Sequence, residues 1–294
     1  MKANETVIAT DLDGTLFYPK MIFSMFTRSN KKFLQRFIGD GGKLVVVTSR
    51  GLPFMSKIPK KLGAPCDFVC CNGAIVSVNG EVVKKQPLDP QKFKALVQDL
   101  RARYNPKLML LNSSTRGTVM TRSLSSFFGS MAYFLYEAVQ GVYREKTVRS
   151  DHVFYDEIER GEAYKMMFYV GATKLKKAYA EHLTDKLAQE YPDFSFAWVE
   201  QFIEVAPKGC TKAEGVAYYL AKVGLDNHNV IVVGDSGNDV AMFDAFHENS
   251  YCMAHSPSSV KKRAAHVLRR VSDLEETLYP SVDSNNPERK FEKK

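Results

Sequence analysis

Thr6–Thr15 reads TVIATDLDGT, an unbroken apolar run that ends in two carboxylates one residue apart and a glycine. Its β-branched residues show no polar alternation, which predicts a strand buried on both faces, as in a parallel sheet covered by helices. Lys43–Val47 (KLVVV) and Asn229–Val233 (NVIVV) have the same character. Each run gives way at once to small polar or acidic residues: Asp11, then Thr48-Ser49, then Asp235. Ligands of an open α/β sheet sit beyond the carboxyl ends of its strands, so these three ends are expected to converge. Two carboxylates and two hydroxyls would then meet.

Helical patterns fall between the runs. Asn30–Ile38 closes at Gly39, and Pro87–Tyr104 carries a cap at Asp89 with Phe93, Leu96, Val97 and Leu100 at helical spacing. Thr173–Glu190 is a third candidate. Thr211-Lys212-Ala213-Glu214 matches a capping box, which starts a helix at Lys212 that ends near Gly224. Residues 86–200 hold their own helices and three strand patterns, Lys107–Leu111, Tyr164–Val170 and Phe194–Val199. That stretch is expected to be an inserted α+β unit, with residues 1–85 and 201–280 forming a discontinuous α/β core. The tail from Ser281 to Lys294 is polar and charged and is expected to be loose.

Composition narrows the class. With 294 residues, 45% hydrophobic and 25% charged, the chain is neither disordered nor fibrous. Five scattered cysteines offer no zinc spacing and fit reduced thiols, hence a cytoplasmic protein. No signal peptide opens the sequence, and the aromatic stretch Ser123–Tyr136 is too short for a bilayer, so no membrane association is expected. The net charge of +8 is spread over short basic groups such as Lys261-Lys262-Arg263, with no nucleic-acid motif. Oligomeric state is not encoded in these patterns.

The chemistry gathers at the strand ends. In Asp11-Leu12-Asp13-Gly14-Thr15 one carboxylate can attack or bind metal while the second transfers protons, with Gly14 permitting the turn. Alone, such a segment is an ordinary turn after a strand. Gly234-Asp235-Ser236-Gly237-Asn238-Asp239 follows another strand, and Asp11 with Asp235 would suit Mg²⁺. Thr48-Ser49-Arg50 supplies a hydroxyl and backbone N–H groups that can hold phosphate oxygens. The six histidines form no ligand pattern.

DLDGT at 11–15, VVVTSR at 45–50, Lys212 after Pro207-Lys208-Gly209-Cys210-Thr211, and GDSGND at 234–239 occur in an order that resembles the haloacid dehalogenase superfamily of phosphatases. Within it the chain is similar to the Cof-type branch with a C2-type (type IIB) cap, and Asn72-Gly73-Ala74 matches the segment that precedes that cap. The resemblance implies a Rossmann-like parallel-sheet core carrying the inserted cap. It implies a Mg²⁺-dependent hydrolase of small phosphorylated metabolites, sugar phosphates first. Asp11 would be the nucleophile, Asp13 the acid and base, and Thr48, Ser49, Lys212 and Asn238 the phosphate ligands. Metal would be held by Asp11, the Asp13 backbone carbonyl and Asp235, with Gly14 and Asp239 in support. Ser49 departs from the glycine common there, and Lys208 is a second available lysine, though the capped helix start favours Lys212. A phosphomutase, or a non-catalytic phosphate- or nucleic-acid-binding protein, is the alternative.

Overall fold

The computed structural model describes residues 2–19, 24–122, 147–169, 174–199 and 202–280. The aromatic segment from Leu124 to Tyr143 and the tail from Ser281 lie outside the described residues.

Strand β1 (Val7–Asp11) is buried along its whole length. β2 (Lys43–Val47) flanks it on one side and β12 (Val230–Gly234) on the other, both parallel, with Val7 opposite Lys43 and Val230. The three apolar runs are therefore adjacent. Around them the full order is β14-β13-β12-β1-β2-β3-β4-β5. β3 (Asp67–Cys70), β13 (Ser250–Met253) and β14 (His266–Leu268) continue the parallel pairing, whereas β4 (Ile75–Val78) and β5 (Glu81–Lys85) form an antiparallel hairpin at one edge.

The alternation of strand side chains explains why the runs had to be apolar throughout. Ile8, Val46, Ile231 and Val233 pack on one face with Phe33, Leu34 and Phe37 of the helix Arg28–Gly39. Val7, Ala9, Val45, Val47, Val230 and Val232 pack on the other with Val216, Tyr219 and Leu220 of the helix Lys212–Val223. Both faces are thus dry, as a parallel sheet requires.

A second, six-stranded sheet has the order β10-β11-β9-β6-β7-β8. Its strands are β6 (Met109–Ser113), β7 (Gly117–Met120), β8 (Thr147–Arg149), β9 (Ala163–Tyr169), β10 (Phe194–Val199) and β11 (Phe202–Pro207). Met109, Leu111, Val119, Met166, Phe168, Ile203 and Val205 face the helices Pro90–Tyr104 and Asp151–Glu159. Asp89 caps the first of these, its side chain accepting from Lys92 N at 2.9 Å.

The insertion expected to end at residue 200 runs on to Pro207. β11 pairs antiparallel with β10 and with β9, so it is an interior strand of the second sheet and not part of the core. Its sequence FIEVAP shows an apolar run interrupted by Glu204, a pattern that does not say which sheet will take it. Among the described residues no helix is long and apolar enough to cross a membrane.

Candidate active site

Asp11 closes β1 and is 5% exposed. The chain then coils through Leu12–Leu16, with Gly14 at φ +83°. A Cβ on Gly14 would sit 2.4 Å from Asp235 Oδ2, so this position needs glycine both for its left-handed backbone and for the approach of Asp235. That approach lets Thr15 Oγ1 donate to Asp235 Oδ1 at 2.8 Å. Pairing of Asp11 with Val47 brings Thr48 alongside the nucleophile candidate.

Lys212 is the first residue of its helix, and Thr211 caps it by accepting from Glu214 N at 3.1 Å. The helix start is seated by two close approaches. A Cβ on Gly215 would lie 2.3 Å from Val69 Cγ1, and one on Gly73 would lie 2.3 Å from the Thr211 carbonyl oxygen. The Asn72-Gly73-Ala74 turn therefore supports the helix that carries Lys212. From there Lys212 Nζ donates to Asp11 Oδ1 at 2.6 Å, Asp239 Oδ1 at 2.6 Å and Asn238 Oδ1 at 3.2 Å. Lys208 is exposed and takes no part in this cluster.

Asp239 is fully buried, and both its oxygens are committed. Oδ1 holds Lys212 while Oδ2 accepts from the backbone N–H groups of Asp235 (2.9 Å) and Ser236 (3.0 Å). It thus orients the lysine and fixes the loop that presents Asp235.

Carboxylate oxygens of Asp11, Asp235 and Asp239 lie within 4.8 Å of one another. Burial raises the Asp11 pKa well above the ordinary carboxylate value; Lys212 opposes the rise, and Asp239 and Asp235 add to it. Asp235 is pushed up to about 6 by burial and by Asp239, against Thr15 and Lys212. For Lys212 burial works against the charge, but Asp11 and Asp239 outweigh it and the net shift is upward, so the amine is protonated at neutral pH. One ammonium among three carboxylates leaves negative charge uncompensated. With Asp239 committed, Asp11 and Asp235 remain as hard oxygen donors, a set that fits Mg²⁺.

Thr48 is 1% exposed, and its Oγ1 accepts from Arg50 N at 3.1 Å, which leaves the hydroxyl proton for a ligand. Ser49 is half-buried beside it. Asp13 does not join the carboxylate cluster. It is held by Arg50, whose Nε donates to Oδ2 at 2.6 Å and whose Nη2 donates to Oδ1 at 3.0 Å.

Arg50 and His255 are the site residues without an assigned role in the motifs. Nothing local in the sequence links Arg50 to a carboxylate 37 positions away. His255, read only as one of six unpatterned histidines, has Nε2 3.8 Å from Asp235 Oδ2 and its ring stacked on Tyr18 at 3.9 Å. The two sheets meet beside this site, where Asn72 Nδ2 donates to Glu204 Oε2 at 3.0 Å.

The model of a family described as haloacid dehalogenase-like hydrolase matches residues 8–275. The pyridoxal phosphate phosphatase YbhA of Escherichia coli is 22% identical over 270 residues, which are 89% of this chain and 92% of that protein. Among solved structures, a haloacid dehalogenase-like hydrolase from B. subtilis aligns with TM-score 0.76 at 18% identity over 93% of this chain and 99% of its own. The subclass IIB sugar phosphatase BT4131 aligns with TM-score 0.71 at 19% identity, over 92% and 98%. With its three neighbouring strand ends and with a family match that spans nearly the whole chain, the protein belongs to the haloacid dehalogenase-like hydrolases.

Proposed function

We propose that the protein is a phosphatase that hydrolyses small phosphate monoesters, sugar phosphates and related metabolites first among them. The observation that carries the reading is the Lys212 ammonium bridging Asp11 and Asp239 at 2.6 Å each, with Asp235 alongside. A buried carboxylate held beside a fixed cation is an anionic nucleophile prepared for an anionic substrate. The phosphatase names of YbhA and BT4131 support a phosphorylated metabolite as substrate.

Asp11 attacks phosphorus, the bond to the ester oxygen breaks, and Asp13 gives that oxygen a proton. Asp13 then takes a proton from water as the water attacks the aspartyl-phosphate, which releases phosphate and restores Asp11. Lys212 and the helix N-terminus beneath it offset the charge on the transferring group. Thr48, Ser49 and Asn238 orient its oxygens. Asp11, Asp235 and the Asp13 backbone carbonyl would hold Mg²⁺, which when bound would supply the positive charge that a carboxylate needs beside a phosphate dianion. The insertion acts as a cap that excludes water and selects the leaving group.

The test is phosphate release from a panel of sugar, nucleotide and cofactor phosphates, with and without Mg²⁺, by the wild type and Asp11→Asn. Metal-dependent release that the variant loses is the expected result. Interconversion of sugar monophosphates without release would identify a phosphomutase, and no reaction by folded, metal-loaded protein would overturn the enzymatic reading.

A further inference from the structure

Asp13 sits on an irregular turn, with its side chain 26% exposed. A carboxylate there has three staggered χ1 wells to choose from, and only a held geometry makes proton transfer efficient. Arg50 supplies the hold. It grips both carboxylate oxygens through the planar fork of its guanidinium, at 2.6 and 3.0 Å, an arrangement with far more directional constraint than a lysine offers.

The gripping residue is itself fixed. The Arg50 side chain is 8% exposed, and its guanidinium lies 5.1 Å from the Phe54 ring centroid. Its backbone N–H donates to Thr48 Oγ1 at 3.1 Å, and its carbonyl accepts from Cys71 N at 3.0 Å. A carboxylate offers about four acceptor positions, of which the two Arg50 bonds use two. Each oxygen therefore keeps a position for a proton shared with an ester oxygen or with water.

We infer that Arg50 is a positioning residue for Asp13, fixing its carboxylate so that proton transfer to the leaving group is efficient. The inference rests on the proposed role of Asp13 and adds to it a group that acts only through that residue. It separates two classes of substrate. An alkyl phosphate leaves as an alkoxide that needs the proton, whereas p-nitrophenyl phosphate leaves as a stable phenolate that does not.

The experiment compares kcat/KM on both esters for wild type, Arg50→Met, Arg50→Lys, Asp13→Asn and the Arg50→Met/Asp13→Asn double variant. Arg50→Met is expected to lose about 10- to 100-fold on the alkyl ester and no more than about threefold on the nitrophenyl ester, with Arg50→Lys between it and wild type. In the Asp13→Asn background the arginine change should cost nothing further, because two groups that act as one unit are not additive. Should Arg50→Met fail to fold, Arg50→Lys carries the same comparison. Equal losses on both esters, or a further loss in the double variant, would overturn the inference and make Arg50 a direct phosphate ligand or a purely structural residue. If Asp13→Asn itself shows no bias between the esters, the proton-transfer reading of Asp13 fails, and the inference falls with it.

Discussion

Among the described residues two lysines are buried, and they sit in opposite electrostatic circumstances. Lys165 in the second sheet is 2% exposed and meets one carboxylate, Glu204, at 2.7 Å; the other Glu204 oxygen accepts from Asn72. That arrangement is neutral and its carboxylate satisfied. Lys212 in the core is 1% exposed and meets two carboxylates, with a third alongside. There the charges do not cancel; burial raises the pKa of both Asp11 and Asp235, and the neighbouring carboxylates add to the rise while Lys212 opposes it. A balanced buried pair is complete and serves as a joint between the sheets. An unbalanced one is finished only by what it binds, which is why the second arrangement is the candidate for chemistry and the first is not.

The contrast can be broken at either lysine's partners. Asp11→Asn should lower turnover by roughly 10⁴-fold or more while the protein stays folded, as expected when a covalent nucleophile is removed, and phosphate-release kinetics will show it. Next in size, Lys165→Met should destabilise the fold by about 3–5 kcal/mol in urea unfolding, because Glu204 is left buried without its cation. The double change Lys165→Met/Glu204→Leu should recover most of that loss, since a balanced pair can be exchanged for apolar packing at little cost.

Asp235→Asn should act in the other direction. Removing one of three crowded carboxylates is expected to stabilise the metal-free protein by about 1–3 kcal/mol and to abolish the rise in Tm on adding Mg²⁺. The smallest effect is in pH. Asp235 is raised from 3.8 to about 6, so the fold binds its proton more tightly than the unfolded chain does, and between those values metal-free stability grows as pH falls. A cation competes with that proton. Apparent Mg²⁺ affinity, measured by calorimetry, should therefore weaken by up to about tenfold per unit as pH drops below 6.

What could be read from the sequence was what lies contiguous along it. β1, β2 and β12 announced themselves by unbroken β-branched runs, and the acidic or hydroxyl residue after each was legible because a strand end has a fixed chemical meaning in this fold. The cap of Lys212 was equally local, four residues long. The Thr48-Ser49-Arg50 motif is visible in the sequence but the partner of Arg50 is not, since the fork to Asp13 exists only once two strands are side by side. β11 was misplaced for a related reason: the register that seats Phe202–Pro207 between β9 and β10 is set by neighbours distant in sequence. The short strands β13 and β14, four and three residues long, carry too few positions for any period to show.

The order β12-β1-β2 also fixes a schedule for the newborn chain. β1 leaves the ribosome long before the strand that covers its other edge, which begins about 220 residues later. At roughly 5–20 residues per second, synthesis leaves that edge unpaired for some 10–40 s. The second sheet, whose strands all fall between Met109 and Pro207, is translated in full during the wait. Asp11 thus waits for Lys212 and Asp235, and a nascent chain halted before them has the carboxylate without the cation that makes it useful.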